Sequence, residues 1–317
     1  MKSLKDSALL FLKGIGMGSA DVVPGVSGGT IAFITGIYEE LLSSISSFDK
    51  EAFFHLSKLE LKEFWKHING SFLLPLVLGI LVSVFSLAKI IAFLLDNYPI
   101  QVWSFFFGLI IISSITVTKE ITKWNAGVVI SAIIGIVFAY TLTLITPVNT
   151  PSAPWFIFIC GAFAICAMIL PGISGSFIML ILGKYTYIIN AVKDFNWAVM
   201  LIFGSGCIVG LFTFSRVISW FLKKFHNYAI ALLAGFMLGA LNKIWPWKKA
   251  VLFQLDRHGA QVPVYEENLL PNQYFTETGQ QALILQAILF MAFGFMIVVI
   301  MEKVALLMKS NKSKSTS

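Results

Sequence analysis

Charge is scarce in this chain. Asp, Glu, Lys and Arg make up 12% of its 317 residues, against about a quarter in soluble domains, which excludes an ordinary water-soluble globule. Cysteine is scarcer still. Cys160, Cys166 and Cys207 lie in apolar stretches without a C-x-x-C spacing, the pattern of buried inert thiols rather than of a redox or metal motif. The four histidines, His55, His67, His226 and His258, fall in or beside polar segments. No intramembrane metal cluster and no cofactor is therefore expected. An intramembrane enzyme such as a lipid phosphatase needs a nucleophile with His, or paired carboxylates on a metal. Asp21 is the main acidic residue at depth, so the sequence argues against that class. A cleaved leader is not expected either, since Lys13 interrupts the short apolar run after Lys2 and Lys5.

Apolar residues are what the chain has in excess: 57% are hydrophobic, with 29 Phe and 8 Trp, as suits lipid-facing surface and interfacial belts. Six apolar runs predict membrane spans at 72–95, 101–118, 125–146, 197–222, 228–245 and 282–302. Two longer apolar segments, 8–47 and 154–193, are broken by VVPGVSGGT (22–30) and ILPGISGSF (169–177). As single helices each would be about 60 Å long, twice the hydrocarbon layer. Proline lacks an amide donor and glycine accepts unusual dihedrals, so the chain turns at Pro24 and Pro171. Each segment reads as a re-entrant hairpin or as two crossings, and the half-length piece 8–23, carrying Asp21, favours the hairpin. With the N-terminus in the cytoplasm, 15 of the 23 basic residues fall inside: seven from Lys2 to Lys66, then Lys119, Lys123, Lys223, Lys224, Lys303, Lys309, Lys312 and Lys314. The positive-inside rule then places both termini in the cytoplasm of a multi-pass protein. The net charge of +7 concerns orientation and anionic lipid, and no nucleic-acid partner is expected.

Aligning Pro24 with Pro171 leaves eight of twenty positions identical over residues 24–43, including Gly36 with Gly183 and Tyr38 with Tyr185. Beyond the polar stretch 48–71 the offset falls from 147 to 127, and Gly79 meets Gly206, Lys89 meets Arg216 and Gly108 meets Gly235. The expected fold is an all-α polytopic membrane protein of two repeats, each a Pro-Gly-broken hairpin followed by three spans. An odd number of crossings per unit makes the repeats inverted, as in many secondary transporters. The first repeat covers 1–147: hairpin 8–47, polar cytoplasmic linker 48–71, and three spans. The second covers 148–317: hairpin 154–193, three spans, an outer loop 246–281 with no assigned role, and a basic cytoplasmic tail.

Irregular backbone at membrane depth must be covered by protein or line a wet cavity. A helix starting after each break points free amides and a positive dipole end at such a cavity. Gly25, Ser27, Gly28, Gly29 and Thr30 in the first break, with Gly172, Ser174, Gly175 and Ser176 in the second, suit an anion, particularly a phosphate. Lys89 and Arg216 lie in spans, where an ionised group normally has a partner. They are assigned to the phosphate on opposite sides of the midplane, with snorkelling to the interface as the alternative. Asp21 has no acidic counterpart, because Met168 takes its place. It binds a coupling cation (a proton or sodium) or pairs with Arg216 or another base. Lys184 sits where it draws an anionic headgroup inward, or serves as an interfacial lysine beside two tyrosines.

GMGSADVVPGVSGGTIAFITGIYEELL and ILPGISGSFIMLILGKY resemble the signatures of PopT, the bacterial polyprenyl-phosphate transporters, a family long catalogued as a membrane domain of unknown function. The resemblance covers most of 1–310. It implies a flippase in the bacterial cytoplasmic membrane that returns undecaprenyl phosphate from the outer to the cytoplasmic leaflet for cell-wall assembly. Undecaprenyl phosphate and membrane lipid are then the partners, and a homo-oligomer is compatible with that role. The same architecture would also serve a secondary transporter or channel for a small soluble ion.

Overall fold

The computed structural model describes residues 4–23, 25–148, 150–255 and 261–314, so Pro24 lies outside the described residues. Among the described residues, the regular structure is helical apart from one two-stranded antiparallel sheet. Helix α1 (Leu4–Val22) ends at the first break. There Gly25 has φ +86°, a conformation that a residue with a Cβ rarely adopts. Helix α2 (Gly28–Ile34) then starts from Ser27, whose Oγ accepts the Gly29 amide at 3.1 Å. α2 runs back along α1, since the Lys13 ammonium donates to the Thr35 carbonyl at 2.7 Å. Gly36 (φ +68°) turns the chain into α3 (Tyr38–Ser46).

The second broken segment repeats this course. Helix α10 (Pro154–Ile169) is followed by Gly172 at φ +86°, α11 (Gly175–Ile181), Gly183 at φ +62° and α12 (Tyr185–Lys193). α11 and α12 are bent by 112°. Both segments are re-entrant rather than double crossings: each entering helix is answered by a seven-residue return.

The polar stretch 48–71 forms two short helices, α4 (Lys50–Ser57) and α5 (Leu61–His67). Among the described residues, four helices are long and apolar enough to cross a membrane: α8 (Pro99–Thr118), α9 (Ala126–Leu144), α13 (Trp197–Lys224) and the Ile284–Lys303 part of α16 (Ile284–Lys314). Two expected spans differ. The run 72–95 divides at Leu87 into α6 (Gly70–Ser86) and α7 (Ala88–Asn97). The run 228–245 gives a shorter helix, α14 (His226–Ala240), and a turn in which Lys243 N donates to Ala240 O. At roughly 1.5 Å per residue α14 is too short for the hydrocarbon layer. It is enclosed by other helices, with Ile230, Ala231, Leu233, Ala234 and Met237 all buried, so lipid thickness does not set its length.

The loop 246–281 adds one small two-stranded sheet to this helical architecture. β1 (Lys248–Leu255) pairs antiparallel with β2 (Gln261–Asn268), Lys248 opposite Asn268, and α15 (Pro271–Thr278) follows.

Helices pack in parallel pairs through glycine. A Cβ at Gly14 of α1 would strike the Leu76 carbonyl of α6, and one at Gly161 of α10 the Phe203 carbonyl of α13. α8 packs on α16 at Gly108 and Gly294, and α9 on α14 at Gly135 and Gly235. Without a hydrophobic drive between helices in lipid, such close backbone approach supplies the packing energy. The pairing gives the molecule two faces. One carries the ends of α3, α8 and α13, joined by Arg216 to Phe48 and Thr122 to Asn227. We call it the N-terminal face. The other carries the β-hairpin.

Candidate functional site

The two breaks touch. Ser27 Oγ donates to the Met168 carbonyl at 2.9 Å, and Thr30 Oγ1 accepts the Gly172 amide at 3.0 Å. A Cβ at Gly29 would collide with the Ile169 carbonyl. Ser27 and Thr30 are fully buried, and Ser174 is nearly so. The predicted free amides of α2 are, however, occupied by the chain itself. Asp21 Oδ1 accepts Gly28 N at 2.7 Å, while Ser27 accepts Gly29 N. Asp21 therefore holds the start of α2 rather than pairing with Arg216. In the second break, where Met168 replaces an acid, Ser174 makes no side-chain cap; its hydroxyl meets that of Ser176 at 2.7 Å. Pro171, Gly172 and Ser174 are buried, and Gly175 and Ser176 half-buried.

The cations assigned from the sequence lie elsewhere. Arg216 is exposed on α13 and donates to the Phe48 carbonyl at 2.7 Å and the Ser46 carbonyl at 3.5 Å, fastening the end of α3. Lys89 is exposed on α7, and among the described residues no hydrogen bond or ion pair joins it to a break. Lys184 is buried, its ammonium donating to Thr150 O at 2.6 Å and Ser152 Oγ at 3.0 Å. It ties down a loop instead of facing an incoming headgroup.

The cation at the breaks is one the sequence reading passed over. A Cβ on Gly25 would come within 2.9 Å of Lys243 Cγ, and Lys243 Nζ lies 5.2 Å from the Phe177 ring centre at the start of α11. Lys243 thus touches both broken segments. Its charge inside the run 228–245 was the available signal. It opens into a cavity of about 220 Å³ beneath the β-hairpin, lined also by Thr143, Asn242, Lys248 and Glu266. Lys248 Nζ sits 3.5 Å from the Trp103 ring centre. Burial pushes its pKa down to about 7, opposed in part by Glu266. For Glu266 itself, burial alone would raise the carboxyl, but Lys248 and Lys243 outweigh it and hold it below the usual range. A second cavity, of about 340 Å³, opens on the N-terminal face between Glu39, Ser43, Ser219, Lys223 and His226. Among the described residues no group of three His, Cys, Asp or Glu is placed to hold a metal.

Re-entrant helices meeting inside an apolar bundle, with polar cavities toward both faces, define an integral membrane protein of transporter class. The chain belongs to the undecaprenyl phosphate translocase-like family, whose model matches residues 17–262. It is 44% identical over 295 residues to the polyprenyl-phosphate transporter of Vibrio cholerae serotype O1, covering 93% of this chain and 96% of that one. It is 33% identical over 254 residues to the polyprenyl-phosphate transporter of Staphylococcus aureus, covering 74% and 85%. No solved structure matches it.

Proposed function

We propose that this protein carries a polyprenyl phosphate, with undecaprenyl phosphate as the main substrate, from the outer to the cytoplasmic leaflet of the bacterial cytoplasmic membrane. The observation that carries this reading is the contact of the two breaks beside Lys243: buried hydroxyls and a cation meet where two helices are interrupted. Only the phosphate head needs such a polar path, because the isoprenoid tail remains in lipid while the head crosses. Gly25, Ser27, Gly28, Gly29, Thr30, Gly172, Ser174, Gly175 and Ser176 form the crossing point in this proposal. Hydroxyls already bonded to neighbouring backbone exchange those partners for phosphate oxygens as the hairpins part. Arg216 and Lys89 flank the path toward opposite faces.

The N-terminal face is the cytoplasmic one in this reading, and Asp21, held at the start of α2, is the group assigned to a coupling proton or sodium. The division at residues 147 and 148 into inverted halves supplies the two conformations that alternate. A homo-oligomer is compatible with this scheme. The test is reconstitution: proteoliposomes loaded with undecaprenyl phosphate should move it between leaflets faster than protein-free vesicles. Equal rates in the two would overturn the proposal, and ion flux without lipid movement would replace it with a soluble-ion transporter.

A further inference from the structure

Lys243 and Lys248 converge on one carboxylate, and neither is held tightly by it. Their ammonium nitrogens lie 3.4 Å and 3.7 Å from the same oxygen, Glu266 Oε2. Good charge-assisted bonds are shorter, about 2.7–2.9 Å. The Lys248 side chain is 6% exposed, and among the described residues its Nζ makes no hydrogen bond. An ammonium offers three donors, and a buried one without acceptors is strongly disfavoured. The face of Trp103 supplies part of the missing stabilisation. Asn242 and Asn268 add amide groups at the cavity, and Glu267 stands exposed at its rim. Phe177, Leu144 and Leu180 form an apolar wall.

A single carboxylate oxygen reaches two lysines poorly. A tetrahedral phosphate presents three oxygens and can give each ammonium its own acceptor. We propose that this pocket is the hairpin-face binding site for a phosphate monoester carried on an apolar chain, held by Lys243, Lys248 and Asn242, with Glu266 as the group it displaces. The apolar wall receives the first carbons of the chain. Because Lys243 lies along Gly25, a head bound here already abuts the first break. Glu266 belongs to β2, so its displacement releases the hairpin from the cation that joins it to the crossing point. The proposal rests on the transport reading for the identity of the chain-bearing ligand, and the pocket's geometry stands apart from it.

The test uses the full-length protein in detergent micelles, titrated with farnesyl phosphate, farnesol and inorganic phosphate. Farnesyl phosphate should bind more tightly than either of the others. Lys243→Ala and Lys248→Ala should each weaken it about tenfold, the loss expected for one charge-assisted contact. Glu266→Gln should strengthen it several-fold, since it removes the competing charge; a merely structural Glu266 would not do so. If the lysine variants aggregate on gel filtration, Glu266→Gln decides the matter alone. Unchanged or weaker binding by Glu266→Gln overturns the site, and equal affinity for inorganic phosphate overturns the apolar chain. The same proteins in proteoliposomes separate the two readings. A wild-type protein that moves no lipid sinks the transport reading. A mobile wild type whose three variants bind and transport alike sinks this pocket only.

Discussion

Burial beneath the β-hairpin pushes the Lys248 amine from an ordinary 10.5 to about 7, because water is replaced by Trp103 and a single distant carboxylate. Between those two values the unfolded chain carries a proton that the folded protein does not, so unfolding takes up a proton. Stability from this residue therefore rises with pH across the window and is flat below about pH 7, where both states are protonated. A thermal-melting series from pH 7 to pH 9 should rise in wild type relative to Lys248→Met, and parallel curves would refute the assignment. Asp21 permits a second residue-level test. Asn at this position keeps an oxygen for the Gly28 amide, so the start of α2 should hold while the charge is lost. Transport by Asp21→Asn should lose its response to an imposed proton or sodium gradient yet keep the wild-type melting temperature. A response equal to wild type would remove Asp21 from coupling.

The elements that matter most are the two short return helices, and they are joined by side chains from one break bonding backbone of the other. Thr30→Val keeps the shape of the side chain but takes away the acceptor for Gly172 N. It strands a buried amide at a cost of about 1–3 kcal/mol. Its melting temperature should fall, and Thr30→Ser should restore it; equal midpoints would mean that the hairpins are held together elsewhere. These helices could be read in the sequence because proline, glycine and an N-cap serine act locally, and the matching φ of Gly25 and Gly172 is the physical content of the repeated PG step. The cationic pocket could not be read in the same way. Lys243 sits within an apolar run, and Lys248 and Glu266 meet only because β1 pairs antiparallel with β2. Free amides at the breaks were expected because sequence gives no measure of how closely two hairpins approach. At contact, Asp21, Ser27 and Thr30 serve as the partners that a ligand was expected to provide.

At the scale of the whole molecule, helix pairs on opposite faces are fastened differently. Toward the hairpin face, Asn242 beyond α14 bonds Thr143 of α9 at 2.6 Å, an uncharged contact beside the lysine pocket. Toward the N-terminal face, Lys119 beyond α8 meets Glu302 of α16 at 2.8 Å, and Thr116 lies 3.4 Å from the same carboxylate. An exposed ion pair of this kind contributes at most about 1 kcal/mol. It is a weak latch, suited to the opening that the proposed transport requires of this face. The basic residues of 48–71 and of the α13 end lie on this same face, which the proposed transport scheme takes as the cytoplasmic one. In a background with Cys160, Cys166 and Cys207 changed to Ala, Lys58→Cys should react with a membrane-impermeant maleimide only in inside-out vesicles. Glu277→Cys, on α15 beside the β-hairpin, should react only in right-side-out vesicles. Labelling of both from one side would overturn the two-faced arrangement, and the reverse pattern would invert the direction of transport proposed for the phosphate head.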